Sequence, residues 1–361
     1  LLPGYKVMAT DFSDVLQLGY DYLANSQNND GGWGYRRGGM SYVEPTAFAL
    51  LALFNKLGAG GQDVPEKRYD AVKKGMIFLR TQAHADGSWG VMPADTGASW
   101  MTYPVVWLLN VLLKIPELFS YYGEPEDQDK RDKAKAWILS KGREPTVDDT
   151  TYNQVEKLFQ IDSNFRGFSW GPGEAGWVIP TSLAVVGLVV EDPATMRETV
   201  EIKNAKDYLR DRACPEGGWN VGNPYMLGKK LPPTPDATTF ALVAWRTTLT
   251  ASDFGPNIDT VDKGVAYLES YFDTSNSDHT VALCAWALSL FKEADAVDNY
   301  RLHLVRGLTS GDKIFTYKGQ QVTKRTLAGQ NKTTGDWVDS PFTTAIALLA
   351  LSDDRYYLDP K

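Results

Sequence analysis

The sequence predicts an all-α protein closed into an (α/α)6 barrel, a toroid of six inner and six outer helices, as a single domain over residues 1–361. Three observations predict it. An amphipathic helix, a Gly-x-Trp loop and a nearly apolar helix recur along the chain, and self-similarity of that kind marks a repeat architecture. The two helix types alternate; a one-sided helix lies at the surface, whereas one apolar all round must be buried on every side. The last apolar helix is as apolar as the first, so neither end offers the polar cap an open solenoid needs, and closure is expected instead.

Each repeat carries this reading in its residues. The first has Leu16, Tyr20 and Leu23 at helical spacing, the loop Gln27–Trp33, and an apolar run from Glu44 to Leu53. The second has Val72, Met76 and Leu79, then Gly87-Ser-Trp89, then Tyr103 to Leu113. The third runs from Ala134–Leu139 through Phe168-Ser-Trp170 to Pro180–Leu188. In the fourth, Ile202, Ala205 and Leu209 precede Gly217-Gly-Trp219 and Asp236–Trp245. The fifth lacks a tryptophan loop but keeps Val261, Val265 and Leu268 before Asp278–Trp286. The sixth ends with Gly335-Asp-Trp337 and Phe342–Leu351. Inner helices are therefore expected near 44–55, 99–113, 180–190, 236–248, 278–291 and 341–351.

Composition narrows the function. A net charge of −8 argues against nucleic acid, whose phosphates demand clustered Lys and Arg. The run Tyr103–Leu113 is far short of the ~20 apolar residues a membrane span needs. No basic amphipathic leader is visible, so no targeting peptide is expected. Cys214 and Cys284 cannot build a disulfide framework, which fits a reducing, cytoplasmic setting. Three histidines exclude a histidine-rich metal centre. The 11 Trp, 18 Tyr and 14 Phe are the surplus that asks for an explanation.

Gln27-x-x-x-Gly31-x-Trp33 resembles the QW motif of squalene-hopene and related triterpene cyclases, whose repeats build α/α barrels. Asn331–Trp337 is a near match with Asn for Gln; Gln82–Trp89 carries one extra residue, and Ala213–Trp219 has lost the Gln. The resemblance covers nearly the whole chain as one barrel, similar to the catalytic domain of class II terpenoid cyclases standing alone, as in monodomain meroterpenoid cyclases. It implies a cyclisation begun by protonation. A hydrophobic polyprenyl small molecule would be the substrate, with no metal or organic cofactor. It implies no obligate protein partner and admits peripheral contact with a membrane. The motif tryptophans Trp33, Trp89, Trp219 and Trp337 are expected to pin loops to helix ends rather than to react.

Such a cyclase needs a strong Brønsted acid at the start of an inner helix. Aligning the inner helices on a shared Thr gives a column of Glu44, Ser99, Ile179, Asp236, Asp278 and Pro341. Thr234-Pro-Asp236-Ala-Thr238 resembles the family's Asp-x-Asp-Asp-Thr with the middle aspartate kept, so the resemblance gives Asp236 the proton. Ser277-Asp278-His279-Thr280 resembles a neighbouring acidic segment, which makes Asp278 a second candidate. Asp95, just upstream of the second inner helix, is the substitute if the role has moved. Each has an ordinary alternative: carboxylates at helix starts cap free N–H groups, and the helix dipole favours their ionised form. Val147-Asp-Asp-Thr150 lies before a loop rather than an inner helix, and Asp127-Gln-Asp129 and Asp353-Asp354 do not make a magnesium motif.

Aromatic faces stabilise carbocations by about 0.5–2 kcal/mol each. Trp100, Tyr103, Trp107, Trp177, Phe240, Trp286 and Phe342 lie on or just before inner helices and are the candidate lining, with Trp245 on the same stretch as Phe240. Arg36 and Arg37, with Lys229 and Lys230, fall on long loops at the same rim and could hold an anionic head group. Rival readings remain. A protein prenyltransferase β-subunit would need a zinc-binding Asp-x-Cys that neither cysteine provides. A carbohydrate-active toroid would need polar throat residues, and a non-catalytic lipid-binding barrel would need no acid.

Overall fold

In a computed structural model, the described residues are 12–56, 58, 61, 63–146, 148–250, 253, 255–272, 277–292, 294–306, 314–317, 320–323 and 329–360. Six helix pairs follow one another. Outer α1 (Ser13–Ser26) leads to inner α2 (Val43–Leu53), and outer α3 (Glu66–Thr81) to inner α4 (Thr102–Lys114). A short α5 (Pro116–Tyr122) precedes outer α6 (Asp127–Ser140); α7 (Asp149–Phe159) then interrupts the third loop before inner α8 (Val178–Val189). After α9 (Pro193–Met196), outer α10 (Val200–Asp211) leads to inner α11 (Pro235–Thr248), and α12 (Pro256–Phe272) to α13 (Asp278–Phe291). Outer α14 (Ala294–Arg306) and inner α15 (Pro341–Leu351) complete the set. Two small antiparallel hairpins sit in loops: β1 (Tyr225–Met226) with β2 (Lys229–Lys230), and β3 (Ile314–Tyr317) with β4 (Gln320–Thr323). No single described helix is long and apolar enough to cross a membrane.

The inner helices close on themselves in the order α2, α4, α8, α11, α13, α15 and back to α2. Helix α2 therefore faces α11 across the axis, and α4 faces α13. All residues of α2 and α8 are buried, as the all-round apolar patterning requires. Small residues allow the close spacing: a methyl on Gly187 of α8 would lie 3.0 Å from the Tyr103 carbonyl of α4. The second inner helix starts at Thr102 rather than 99, because Ser99 is bound in a bridge to Trp89.

One loop device builds the repeats. The backbone N–H groups of Trp33, Trp89, Phe168 and Trp219 donate to the hydroxyls of Thr46, Thr102, Thr181 and Thr238 at 2.8–3.0 Å. Trp337 donates to Thr344 at 3.2 Å. Each indole N–H meanwhile donates back to a carbonyl of the preceding outer helix: Trp33 to Leu23, Trp89 to Leu79, Trp219 to Leu209 and Trp337 to Leu304, at 2.6–2.8 Å. One residue thus ties the end of an outer helix to the start of an inner one. Gln27 adds a link to the next pair, donating to Gly31 O and to Ala71 O of α3. Gln330, not Asn331, does the same in the sixth loop, donating to Gly335 O and Val15 O of α1. In the third loop the tying residue is Phe168 rather than Trp170. Gly31, at φ +88°, lies against the Lys74 carbonyl of α3, where a methyl would sit 2.5 Å away. Only glycine fits that pairing of left-handed backbone and contact.

The throat is solid. Phe48 of α2 and Phe240 of α11 meet across the axis with ring centroids 6.1 Å apart. One turn deeper, Trp107 of α4 and Trp286 of α13 stack at 6.2 Å and 9°. Phe48 also lies edge-on to both indoles, so the two tiers interlock. Phe48, Trp107 and Trp286 are 0% exposed, which leaves no water-sized void against them. The C-terminal segment closes the far end: Tyr357 OH accepts from Trp286 Nε1 at 3.1 Å, its carbonyl accepts from Trp107 Nε1, and Tyr356 OH donates to Ala52 O. The open aromatic-lined cavity expected from the sequence is replaced by a plug with a shallow mouth above it.

Candidate active site

The mouth is built by helix geometry. Residues four and seven places apart share one helix face. Phe48 and Phe240 form the upper tier, so Glu44 and Asp236 stand one turn above them on opposite helices. Trp107 and Trp286 form the lower tier, so His279 stands two turns above Trp286 on α13, while Trp100 lies in the turn that leads into α4 on the opposite side. The threonine that accepts from the sixth loop is Thr344, which puts Phe342 at the equivalent place, and Thr181 puts Ile179 there. The top tier is therefore Glu44, Trp100, Ile179, Asp236, His279 and Phe342. The column read from the sequence was one residue early in three repeats, taking Ser99, Asp278 and Pro341 for Trp100, His279 and Phe342.

Glu44 is the unusual member. It is 6% exposed, in the first turn of a helix whose every residue is buried. Burial pushes its carboxyl up to about 7 despite the helix start, while a hydrogen bond from the Tyr35 hydroxyl to Oε2 pulls the other way. Burial and the adjoining carboxylate hold the Tyr35 hydroxyl far above its usual range. The Tyr35 ring packs on Tyr42 and Phe342, 5.0 and 5.5 Å away, and its carbonyl receives Ser340 Oγ at 2.6 Å. The first and sixth loops thereby clasp the acid.

Across the mouth, Asp236 is half-buried and its carboxylate has no hydrogen-bond partner among the described residues, so it does not cap α11. His279 Nδ1 lies 3.0 Å from Thr343 Oγ1, and its ring lies 5.7 Å from Phe342. Burial lowers the imidazole below its ordinary value, opposed by the Asp236 charge, so at neutral pH the ring is uncharged.

The other sequence candidates fall elsewhere. Asp95 staples its own loop, accepting from Val91 N at 2.9 Å and Gly97 N at 3.0 Å; these amides hold it below the usual carboxylate range, a state suited to accepting rather than giving a proton. Asp278 is buried and raised by desolvation, opposed by the Gly329 amide of the sixth loop, while Ser277 supplies the cap. Tyr103 belongs to the outer layer, donating to Ser169 O at 2.7 Å beside Trp137 and Phe168. Trp245 also faces outward, under the Lys206 ammonium. Trp100 lies edge-on to Trp170 at 4.8 Å, and Trp177 covers Gly222 in the fourth loop; both are half-buried at the mouth. Arg36 and Arg37 are exposed at the rim, where Arg37 N donates to Asp339 O. Among the described residues no group of three or more His, Cys, Asp or Glu could hold a metal ion. Sequence reasoning placed Glu44 in the right column yet missed it, because nothing in the string shows that Tyr35 and the α2 flanks seal it from water.

No protein-family profile and no curated protein sequence matches the chain. Solved structures do. The type II terpene cyclase MstE from Scytonema, in complex with its substrate geranylgeranyl dihydroxybenzoate, is 14% identical over 94% of this chain and 96% of its own, with a TM-score of 0.52. An α-1,6-mannanase of glycoside hydrolase family 76 from Salegentibacter is 10% identical over 94% and 99%, at 0.59. A cellobiose 2-epimerase from Spirochaeta thermophila is 12% identical over 94% and 97%, at 0.55. These likenesses establish the α/α toroid, a fold these enzymes use for different reactions.

Proposed function

We propose that the chain is a class II terpenoid cyclase in which Glu44 is the initiating acid. The observation that carries this is a buried carboxyl, its proton affinity raised by burial, standing one turn above a floor of aromatic rings. Glu44 would give its proton to a terminal alkene carbon, or to an epoxide oxygen, leaving a carbocation on the substrate and a carboxylate that the Tyr35 O–H stabilises. The charge would move over the rings of Phe342, in the top tier, and of Phe48 and Phe240 one turn below it. His279, uncharged at neutral pH, or Asp236 would take the final proton, so the reaction is a net isomerisation and Glu44 is reprotonated by solvent. Trp100 and Trp177 extend the apolar wall, and Arg36 and Arg37 would meet a polar head group at the rim. An isoprenoid chain is favoured over a sugar because the residues that meet across the axis below the top tier are aromatic rings. The filled throat requires Phe240 and Phe342 to yield to that chain.

The same filled throat favours a second reading, a non-catalytic barrel that binds isoprenoids at its mouth. One experiment separates them. Purified protein is incubated with prenylated substrates bearing carboxylate, phenol and phosphate head groups, and products are separated by mass. Cyclised products that vanish in Glu44→Gln support the acid; activity retained in Glu44→Gln and lost in Asp236→Asn would move the role to Asp236. Saturable binding without turnover in the wild type would support the second reading.

A further inference from the structure

We propose that the outer side of the third repeat holds a binding site for a multiply charged anion of the phosphate class. A cavity of about 450 Å3 lies there between the end of α6 and the third loop, lined by Lys141, Arg143, Glu144 and Arg166 with Pro145 and Pro172. Three cations converging on one cavity are unexpected in a chain of net charge −8. The backbone fixes them. Arg143 pairs with Phe168 in an antiparallel bridge, Glu144 N donates to Gly167 O at 3.1 Å, and Arg166 N donates to Asn204 Oδ1 of α10 at 2.6 Å.

Their charges are poorly neutralised. Arg143 meets Glu201 only at 3.6 Å and Lys141 meets Asp86 only at 3.7 Å, both longer than an N–H···O bond of ordinary strength. Arg166, half-buried, has no carboxylate within ion-pair distance among the described residues. The one acid in the lining, Glu144, offsets one charge of the three: its Oε2 accepts from the Gly167 amide at 3.3 Å and lies against Gly176. The two guanidinium groups also repel, since Arg166 lowers the proton affinity of the partly desolvated Arg143. Like charges held together by the backbone are relieved by an anion between them. A monoanion is matched by one guanidinium fork; two forks and an ammonium match the two or more charges of a phosphoryl group.

The test is calorimetric titration of the full chain at low salt with inorganic phosphate, pyrophosphate and phenyl phosphate, with acetate as the monoanion control. Inorganic phosphate reports a free anion, and phenyl phosphate a phosphoryl group carried on a larger ligand. The expected result is saturable binding of at least one of them with a Kd on the order of 1 mM or tighter, and weaker binding of acetate. Arg166→Gln and Arg143→Gln should each weaken it about tenfold or more, with the far-ultraviolet circular dichroism unchanged. Binding should also weaken as chloride is raised. Arg166→Lys, which keeps the charge and loses the fork, should fall between wild type and Arg166→Gln. Absence of saturation by any phosphoryl probe at ~10 mM, a concentration that would detect a Kd of that order, overturns the proposal. So does an affinity that none of the three arginine variants alters.

Discussion

At the scale of the residue, environment rather than identity decides the chemistry of the acids. Glu44 and Asp236 occupy equivalent places on opposite inner helices, yet only Glu44 is sealed from water and hydrogen-bonded to a tyrosine. Its folded value of about 7 lies above the ordinary 4.5, so between those pH values the folded state binds more protons than the unfolded one. Stability conferred by the neutral form is complete at low pH and is lost as pH rises through that window, by about 3 kcal/mol in all. Urea unfolding at pH 5 and pH 8 should show this decline in the wild type and a flatter response in Glu44→Gln. Equal slopes would mean the carboxyl is ionised in the fold. The Tyr35 bond favours the carboxylate, so Tyr35→Phe should raise the carboxyl further. On a turned-over substrate, the alkaline limb of kcat should then move to higher pH, and an unmoved limb would remove Tyr35 from the site. The sequence displayed Glu44 but not its burial. It displayed Asp95 as a lone carboxylate before an inner helix, but not the two amides that occupy it.

At the scale of the element, the loops were the most legible part of the chain and misled in instructive places. The apolar runs located the described inner helices to within three residues, and in four of the six repeats a Gly-x-Trp loop that ties both neighbours precedes them. The third loop offers both rings of Phe168-Ser-Trp170, and the tying place belongs to Phe168, which keeps the bond to Thr181 and has no indole N–H. That natural variant sets an expectation for the others. Trp219→Phe should lose the bond to Leu209 O and cost about 1 kcal/mol, or up to 3 if the carbonyl stays buried without a donor. Trp219→Ala should cost about 3–5 kcal/mol, because it also leaves a cavity between α11 and α12. Denaturant titration of both variants checks the order. Equal losses in the two variants would show that the hydrogen bond, not the packed ring, carries the loop. The one-residue error of the mouth column in the sixth repeat has a plain cause: Thr343 and Thr344 stand side by side at the start of α15, and only structure shows that Thr344 receives the loop.

At the scale of the whole molecule, closure of six repeats follows from patterning, but whether the ring is hollow does not. Hydrophobic periodicity says that inner helices are buried all round; it cannot say whether they bury their axial face against a ligand cavity or against each other. Here the axial positions of opposite helices carry large rings, Phe48 against Phe240 and Trp107 against Trp286, and these reach across. A single truncation tests that arrangement. Phe240 lies 6.1 Å from Phe48 and 6.0 Å from Trp286, so Phe240→Ala should open an apolar void just below the mouth. The cost should be about 3–5 kcal/mol, with the upper figure if the neighbouring rings fail to collapse into the space. A void lined by rings alone should stay dry and take a small apolar guest, so benzene should bind the variant, stabilise it and perturb the Trp286 emission, with no such effect on the wild type. If the cyclase reading holds, the variant should also accept longer prenyl chains than the wild type, because the floor of the mouth has been lowered by one tier. Benzene binding equally well to the wild type would mean that the throat is already open and that the rings do not bound the substrate's depth.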